Sequence, residues 1–173
     1  MSEEVPRFRP LQVLEALSRH RVAYVLIGGL AATLQGSPLT TGDADICPDP
    51  APDNLGRLSS ALKELDARVY SGEFPRGLKF DIAPETLIQA QVWNFITEAG
   101  RLDIAWVPSG TRGYSDLVQD VVSYELNDIV VPVASLADVI RSKEAAGRER
   151  DRAALPTLRL LQERLEQQNQ PGD

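Results

Sequence analysis

Tyr24-Val25-Leu26-Ile27-Gly28-Gly29-Leu30-Ala31-Ala32, followed shortly by Thr41-Gly42-Asp43-Ala44-Asp45-Ile46-Cys47-Pro48, is the stretch that decides the fold. Its first part reads as an apolar strand, a glycine turn and a short helix. Its second part reads as a strand that opens with two acids. Residues i and i+2 of a strand share a face, so Asp43 and Asp45 set two carboxylates side by side. Two such groups repel unless a cation sits between them. Hard oxygen ligands at a sheet edge suit Mg²⁺, with Mn²⁺ as the alternative, and Mg²⁺ prefers carboxylates together with substrate phosphates. The first expectation is therefore phosphate chemistry.

Outward from this stretch, Gly28 and Gly29 let the backbone turn sharply and approach a ligand closely, or simply join a strand to a helix. The free N–H groups and dipole of the following helix suit phosphate oxygens. Farther on, Val92–Thr97 and Leu102–Val107 are rich in β-formers and flank a tight turn at Ala99-Gly100, so a hairpin is expected. In its second strand Asp103, Ala105 and Val107 share one face, and Leu102, Ile104 and Trp106 the other. A lone acid in so apolar a strand needs a cation if it is buried. A metal shared with Asp43 and Asp45 would supply one; pairing with Arg101 is the structural alternative. Near the C-terminus, Ser135 can cap a helix whose inward stripe holds Leu136, Val139, Ile140 and Ala146. Lys143 falls on that stripe, where a lysine either snorkels outward or meets an anion.

The ordered set of strand, Gly-Gly turn, helix and Asp-x-Asp resembles the DNA polymerase β-type nucleotidyltransferase superfamily. In that superfamily a third carboxylate comes from a later strand, and Arg101-Leu102-Asp103-Ile104-Ala105-Trp106 is the candidate for it. Ser142-Lys143-Glu144-Ala145-Ala146-Gly147-Arg148-Glu149-Arg150-Asp151 is similar to the lysine and Arg-x-basic-Asp segment of small AbiEii-like and MenT-like toxins.

The resemblance implies an α/β (α+β) nucleotidyltransferase fold, a mixed β-sheet flanked by helices with further helices at the C-terminus. It implies that Asp43 and Asp45 hold a nucleotide-bound metal, and that with Asp103 they form a second metal position beside the acceptor hydroxyl. Two such ions, about 3.5–4 Å apart, stabilise the attacking and leaving oxygens of an in-line displacement. Lys143 and the Gly28-Gly29 turn would face the phosphates, and Arg148 and Asp151 are carried over as further site candidates, although Asp151 could equally cap the last helix. Relatives often carry a hydroxyl after the first glycine and an arginine ahead of the threonines. This chain has Gly29 and Leu39 there, which shifts phosphate contact to backbone amides and to Ser37, Thr40 or Thr41.

The implied reaction joins a nucleoside monophosphate from a nucleoside triphosphate to an acceptor hydroxyl and releases pyrophosphate. The implied acceptor is the 3′ end of tRNA, for a toxin with a cognate antitoxin partner. An antibiotic or protein nucleotidyltransferase, or a catalytically idle relative that binds without reacting, are the alternatives.

The 173 residues suffice for one domain with a real core, with flexible ends expected over 1–9 and 167–173. The composition, 43% hydrophobic and 25% charged, is that of a globular protein, and the N-terminus lacks a signal-peptide pattern. A cytoplasmic location and no membrane partner are expected. One cysteine and one histidine exclude an internal disulfide and a Cys/His zinc site. A net charge of −7 argues against a broad nucleic-acid-binding surface while leaving room for a local basic cleft.

Between the motifs, the spacing predicts helices over 10–20, over 53–65 capped by Asp53, over 85–89 and over 113–122. It also predicts a strand at 67–70 and a second hairpin around Asn127-Asp128. Arg76 and Lys79, in a loop rich in Gly and Pro, are either possible substrate contacts or solvated charges. Cys47 is expected in the core, and a bend or new helix start is expected at Pro156.

Overall fold

The computed structural model describes residues 4–170. Seven strands form one mixed sheet: β1 (Tyr24–Ile27), β2 (Asp43–Pro48), β3 (Arg68–Val69), β4 (Val92–Thr97), β5 (Gly100–Ala105), β6 (Val122–Leu126) and β7 (Ile129–Val133). Their spatial order is β3-β4-β5-β2-β1-β7-β6. The helices are α1 (Pro10–Arg19), α2 (Gly28–Leu34), α3 (Pro52–Glu64), α4 (Pro84–Leu87), α5 (Tyr114–Leu117), α6 (Leu136–Ala146) and α7 (Glu149–Gln168). The expected fold class is borne out.

The central strands explain the arrangement. Leu26, Ala44, Ile46, Leu102 and Ile104 are fully buried, and the apolar stripes of α1 and α3, including Leu14, Leu17, Leu58 and Leu62, join them in one core. Burying such an aliphatic side chain contributes about 1.5–3 kcal/mol each. Alternation along β2 and β5 then leaves Asp43, Asp45 and Asp103 half-buried on the other face. The parallel pairing of β2 with β5 aligns Asp45 with Asp103 and Asp43 with Arg101. The flanking antiparallel pairs set Ile27 beside Asp45 and Asn94 beside Asp103.

Several local expectations are corrected. Asp53 lies in the first turn of α3 and does not cap it; Pro52 starts the helix, which spares an unpaired N–H, and Asp49 turns the chain ahead of it by accepting from the Ala51 N–H at 3.0 Å. The helix expected over 113–122 is one short α5 turn and a 3₁₀ turn at Val118–Asp120, because the chain enters β6 at Val122. Helix α7 runs unbroken through Pro156. The glycine turn is shorter than expected, for α2 begins at Gly28 itself.

At the ends, Phe8 and Arg9 dock on the β4–β5 turn, where Arg9 donates to Ala99 O at 2.8 Å and Glu98 O at 2.6 Å. Of the ends expected to be flexible, 1–3 and 171–173 lie outside the described residues. His20 follows the last residue of α1, half-buried and paired with Glu64 at 2.5 Å.

Candidate active site

A cleft of about 830 Å³ opens over the acid-bearing face of the sheet. One wall comes from the α2 turn and the 37–43 loop, another from β5 and the 107–111 segment, and a third from α6 and the start of α7. Every residue singled out as a site candidate lines it: Gly28, Gly29, Ser37, Thr41, Asp43, Asp45, Asp103, Lys143, Arg148 and Asp151. Arg76 and Lys79 do not.

At the floor, ligand oxygens of Asp43, Asp45 and Asp103 lie within 4.8 Å of one another. Thr41 Oγ donates to Asp43 Oδ1 at 3.2 Å. Arg101 donates to both oxygens of Asp103, at 3.2 and 3.3 Å, and its guanidinium lies 4.3 Å over the Tyr70 ring. Asp45 has no hydrogen bond to its carboxylate among the described residues. Burial, followed by the charges of Asp43 and Asp103, pushes its carboxyl up to about 7, against the pull of Lys143 and Arg150. Burial also raises Asp103, opposed by Arg101 and reinforced by Asp43.

Three like charges crowded this closely, one of them without a hydrogen-bond donor, form a set that a hard divalent cation would satisfy. The all-oxygen donors fit Mg²⁺ or Mn²⁺. The structural alternative for Asp103, pairing with Arg101, is present, and the carboxylate also faces the acidic pair.

Gly28 owes its identity to this floor. Its φ of +69° favours glycine, and a Cβ there would collide with the Asp45 carboxylate. A Cβ on Gly29 would meet Thr41 Oγ at 2.9 Å, so the loop and the turn are packed without room for side chains.

Facing the acids, Lys143 is 19% exposed and donates to Asp151 Oδ1 at 3.5 Å. Asp151 is buried beneath it, and Arg148 Nε donates to its Oδ2 at 2.7 Å. Burial alone would raise the Asp151 carboxyl, but the Arg148 hydrogen bond and charge, with Lys143, hold it below the usual range. Asp151 is three residues into α7 and accepts the Arg148 N–H at 3.3 Å. It thus ties the helix start to the lysine from the third helical position, with Arg148 and not Asp151 at the N-cap.

Cys47 is a core residue as expected: it is fully buried, and burial pushes its thiol up to about 12.

No family model and no curated protein matches the chain. Solved structures do. A lincosamide antibiotic adenylyltransferase, LnuA, in its lincomycin-bound crystal structure, superposes with a TM-score of 0.59 at 14% identity, over 90% of this chain and 99% of that one. A candidate nucleotidyltransferase from Thermotoga maritima superposes with a TM-score of 0.52 at 18% identity, over 87% and 94%. The fold is that of the nucleotidyltransferases. No helix among the described residues is long and apolar enough to cross a membrane.

Within this nucleotidyltransferase fold, sequence reasoning passed over Arg150, Asn94 and Asp138, all of which line the cleft. Arg150 stands two residues after Arg148 in a segment already singled out, so its signal was present. Asn94 follows from hairpin register, because the pairing of Thr97 with Gly100 places residue 94 opposite 103. Asp138 carried no sequence signal beyond its place in the first turn of α6. Tyr70, which backs Arg101, meets β5 only through the fold.

Proposed function

We propose that this chain is a metal-dependent nucleotidyltransferase that moves a nucleoside monophosphate from a nucleoside triphosphate to an acceptor hydroxyl. The observation that carries the proposal is the convergence of Asp43, Asp45 and Asp103 within 4.8 Å at the floor of a cleft whose facing wall presents Lys143. The likeness to nucleotidyltransferase folds supports it.

Asp43 and Asp45 would hold Mg²⁺ or Mn²⁺ on the nucleotide side, and with Asp103 they would hold it on the acceptor side. Bound there, the metal would supply charge stabilisation for the phosphoryl oxygens and a lowered pKa at the acceptor hydroxyl. The chain's own residues do the rest. The Gly28-Gly29 turn, onto which Asp45 and Thr41 close, would face the phosphate oxygens through its backbone, and Ser37 and Thr41 bring hydroxyls from the adjoining loop. Lys143, held by Asp151 and with Arg148 and Arg150 nearby, neutralises the triphosphate as negative charge moves onto the leaving pyrophosphate. Asp103, steadied by Arg101, is placed to take the proton of the attacking hydroxyl. The oxygen of that hydroxyl bonds to the α-phosphorus as the bond to pyrophosphate breaks.

The acceptor proposed first is the 3′ end of tRNA, with the chain acting as a toxin and a cognate antitoxin as its partner. Its support is the toxin-like segment 142–151, whose Lys143, Arg148 and Asp151 all reach the cleft. A small-molecule alcohol is the second reading. Aliphatic Leu39, Val92 and Val107 are exposed along the cleft, with Val92 and Val107 at 54% and 60%. Such apolar lining suits a compact organic acceptor, as does the likeness to an enzyme solved with lincomycin.

Incubation of the protein with Mg²⁺, each α-labelled nucleoside triphosphate, and either total tRNA or lincomycin separates these readings. Asp43→Ala and Asp45→Ala proteins serve as controls. Label on RNA supports the toxin reading, and label on lincomycin the second. Absence of pyrophosphate release with any acceptor, while the variants behave like the wild type, would count against nucleotidyl transfer itself.

A further inference from the structure

Along α6, Asp138, Val139, Ser142, Lys143 and Ala146 line the cleft, so one face of this helix runs the length of the wall. Asp138 stands five residues before Lys143, about 7.5 Å along the helix axis. It is 9% exposed. Its Oδ1 accepts from Arg141 at 2.9 Å, and the same guanidinium reaches Asp116 at 3.2 Å. Asp116 in turn accepts from the Arg112 N–H at 2.9 Å. This chain of contacts fixes the carboxylate's orientation.

Its second oxygen, Oδ2, is buried and has no hydrogen bond among the described residues. Nor does helix capping use it, because the Asp138 N–H is taken by Ser135 Oγ and no return bond is made. A buried acceptor held in place without a donor is costly to the fold. The cleft that Asp138 lines also presents the apolar side chains of Ile27, Pro108, Leu117 and Val139.

We propose that Asp138 determines nucleobase specificity: Oδ2 accepts an N–H from the exocyclic amine of the base, and the apolar neighbours receive the ring. This rests on the cleft being a nucleoside triphosphate site. With the phosphates at Lys143 and the acceptor at Asp103 on the β5 wall, one nucleotide length along α6 carries the base to Asp138. The preferred substrates are accordingly amino-bearing nucleotides.

Two isosteric pairs test this, since ATP and ITP, and CTP and UTP, differ by an amine against a carbonyl at the reading edge. Calorimetric affinities in Mg²⁺ for the whole protein are expected to favour the amino member of at least one pair about tenfold or more. Asp138→Asn, whose amide can turn its donor to a carbonyl, is expected to close that gap while affinity for inorganic tripolyphosphate stays within about twofold of wild type.

Equal affinity within both pairs, with tripolyphosphate and nucleotides still bound, overturns the inference and leaves the cleft assignment standing. So does a preference unchanged in Asp138→Asn, or discrimination only between ribose and deoxyribose forms. No binding of tripolyphosphate or of any nucleotide overturns the cleft assignment and the inference together. Should Asp138→Asn fold poorly, equal affinity within both pairs in the wild type still overturns the inference.

Discussion

Replacing Asp45 by asparagine should stabilise the metal-free protein at alkaline pH. The side chain keeps its shape and loses the charge that burial and the neighbouring Asp43 and Asp103 oppose. Carrying a carboxyl from 3.8 to about 7 on folding corresponds to about 4 kcal/mol at most of stability withheld from the ionised protein. A raised folded pKa means that stability is intact below about pH 4, where the group is protonated folded and unfolded, and is lost as pH rises toward 7. Asparagine behaves at every pH like the protonated acid.

The variant's advantage should therefore grow by about 2 kcal/mol between pH 5.5 and pH 8. Urea unfolding of both proteins in EDTA at the two pH values measures this directly. Adding Mg²⁺ should raise the wild type and leave Asp45→Asn nearly unmoved. A variant less stable than wild type at pH 8, or an advantage independent of pH, would refute the idea that Asp45 is held charged against its surroundings for a cation.

Three further outcomes follow from the same geometry. Asp103→Asn should reduce nucleotidyl transfer by about a thousandfold or more, through loss of the base at the hydroxyl, while circular dichroism stays native; retention of near-normal turnover would remove Asp103 from the reacting centre. Mg²⁺ affinity followed by calorimetry should weaken as pH falls below about 7, with up to about one proton released per ion bound, because Asp45 must ionise to ligate. Asp151→Ala should lower stability by about 2–3 kcal/mol, because it leaves the part-buried Lys143 without its partner and unties the start of α7; denaturation of the variant beside Lys143→Met, which removes the charge as well, would show whether the uncompensated lysine is the cause.

Much of this protein was legible along the chain, because the decisive features are local and periodic. The apolar run Tyr24–Ile27, the glycine pair and the two acids at i and i+2 on β2 specify strand, turn and a shared face through backbone stereochemistry alone. The helical stripes of α1, α3 and α6 follow from their 3.6-residue spacing in the same way. Where local propensity competed with neighbours it lost. The segment 113–122 has helical composition, yet pairing of Val122–Leu126 with β7 draws its end into the sheet. Pro156 should interrupt a helix, yet the flanking Leu155 and Leu158 are anchored in the core and α7 continues.

What the sequence by itself determined, then, is the secondary structure around the acids and the chemical kind of residue that faces each way. The tertiary structure alone decided which of these residues meet. Parallel register between β2 and β5, strands more than fifty residues apart, sets Asp103 beside Asp45. The packing of α6 and α7 against each other buries Asp151 under Lys143 and brings Arg148 and Arg150 to the same cleft. The pull on Asp45, the stacking of Arg101 on Tyr70 and the unpaired oxygen of Asp138 depend on distances across chain segments. Burial and charge interaction act through space, so these properties arise only once the chain has closed on itself.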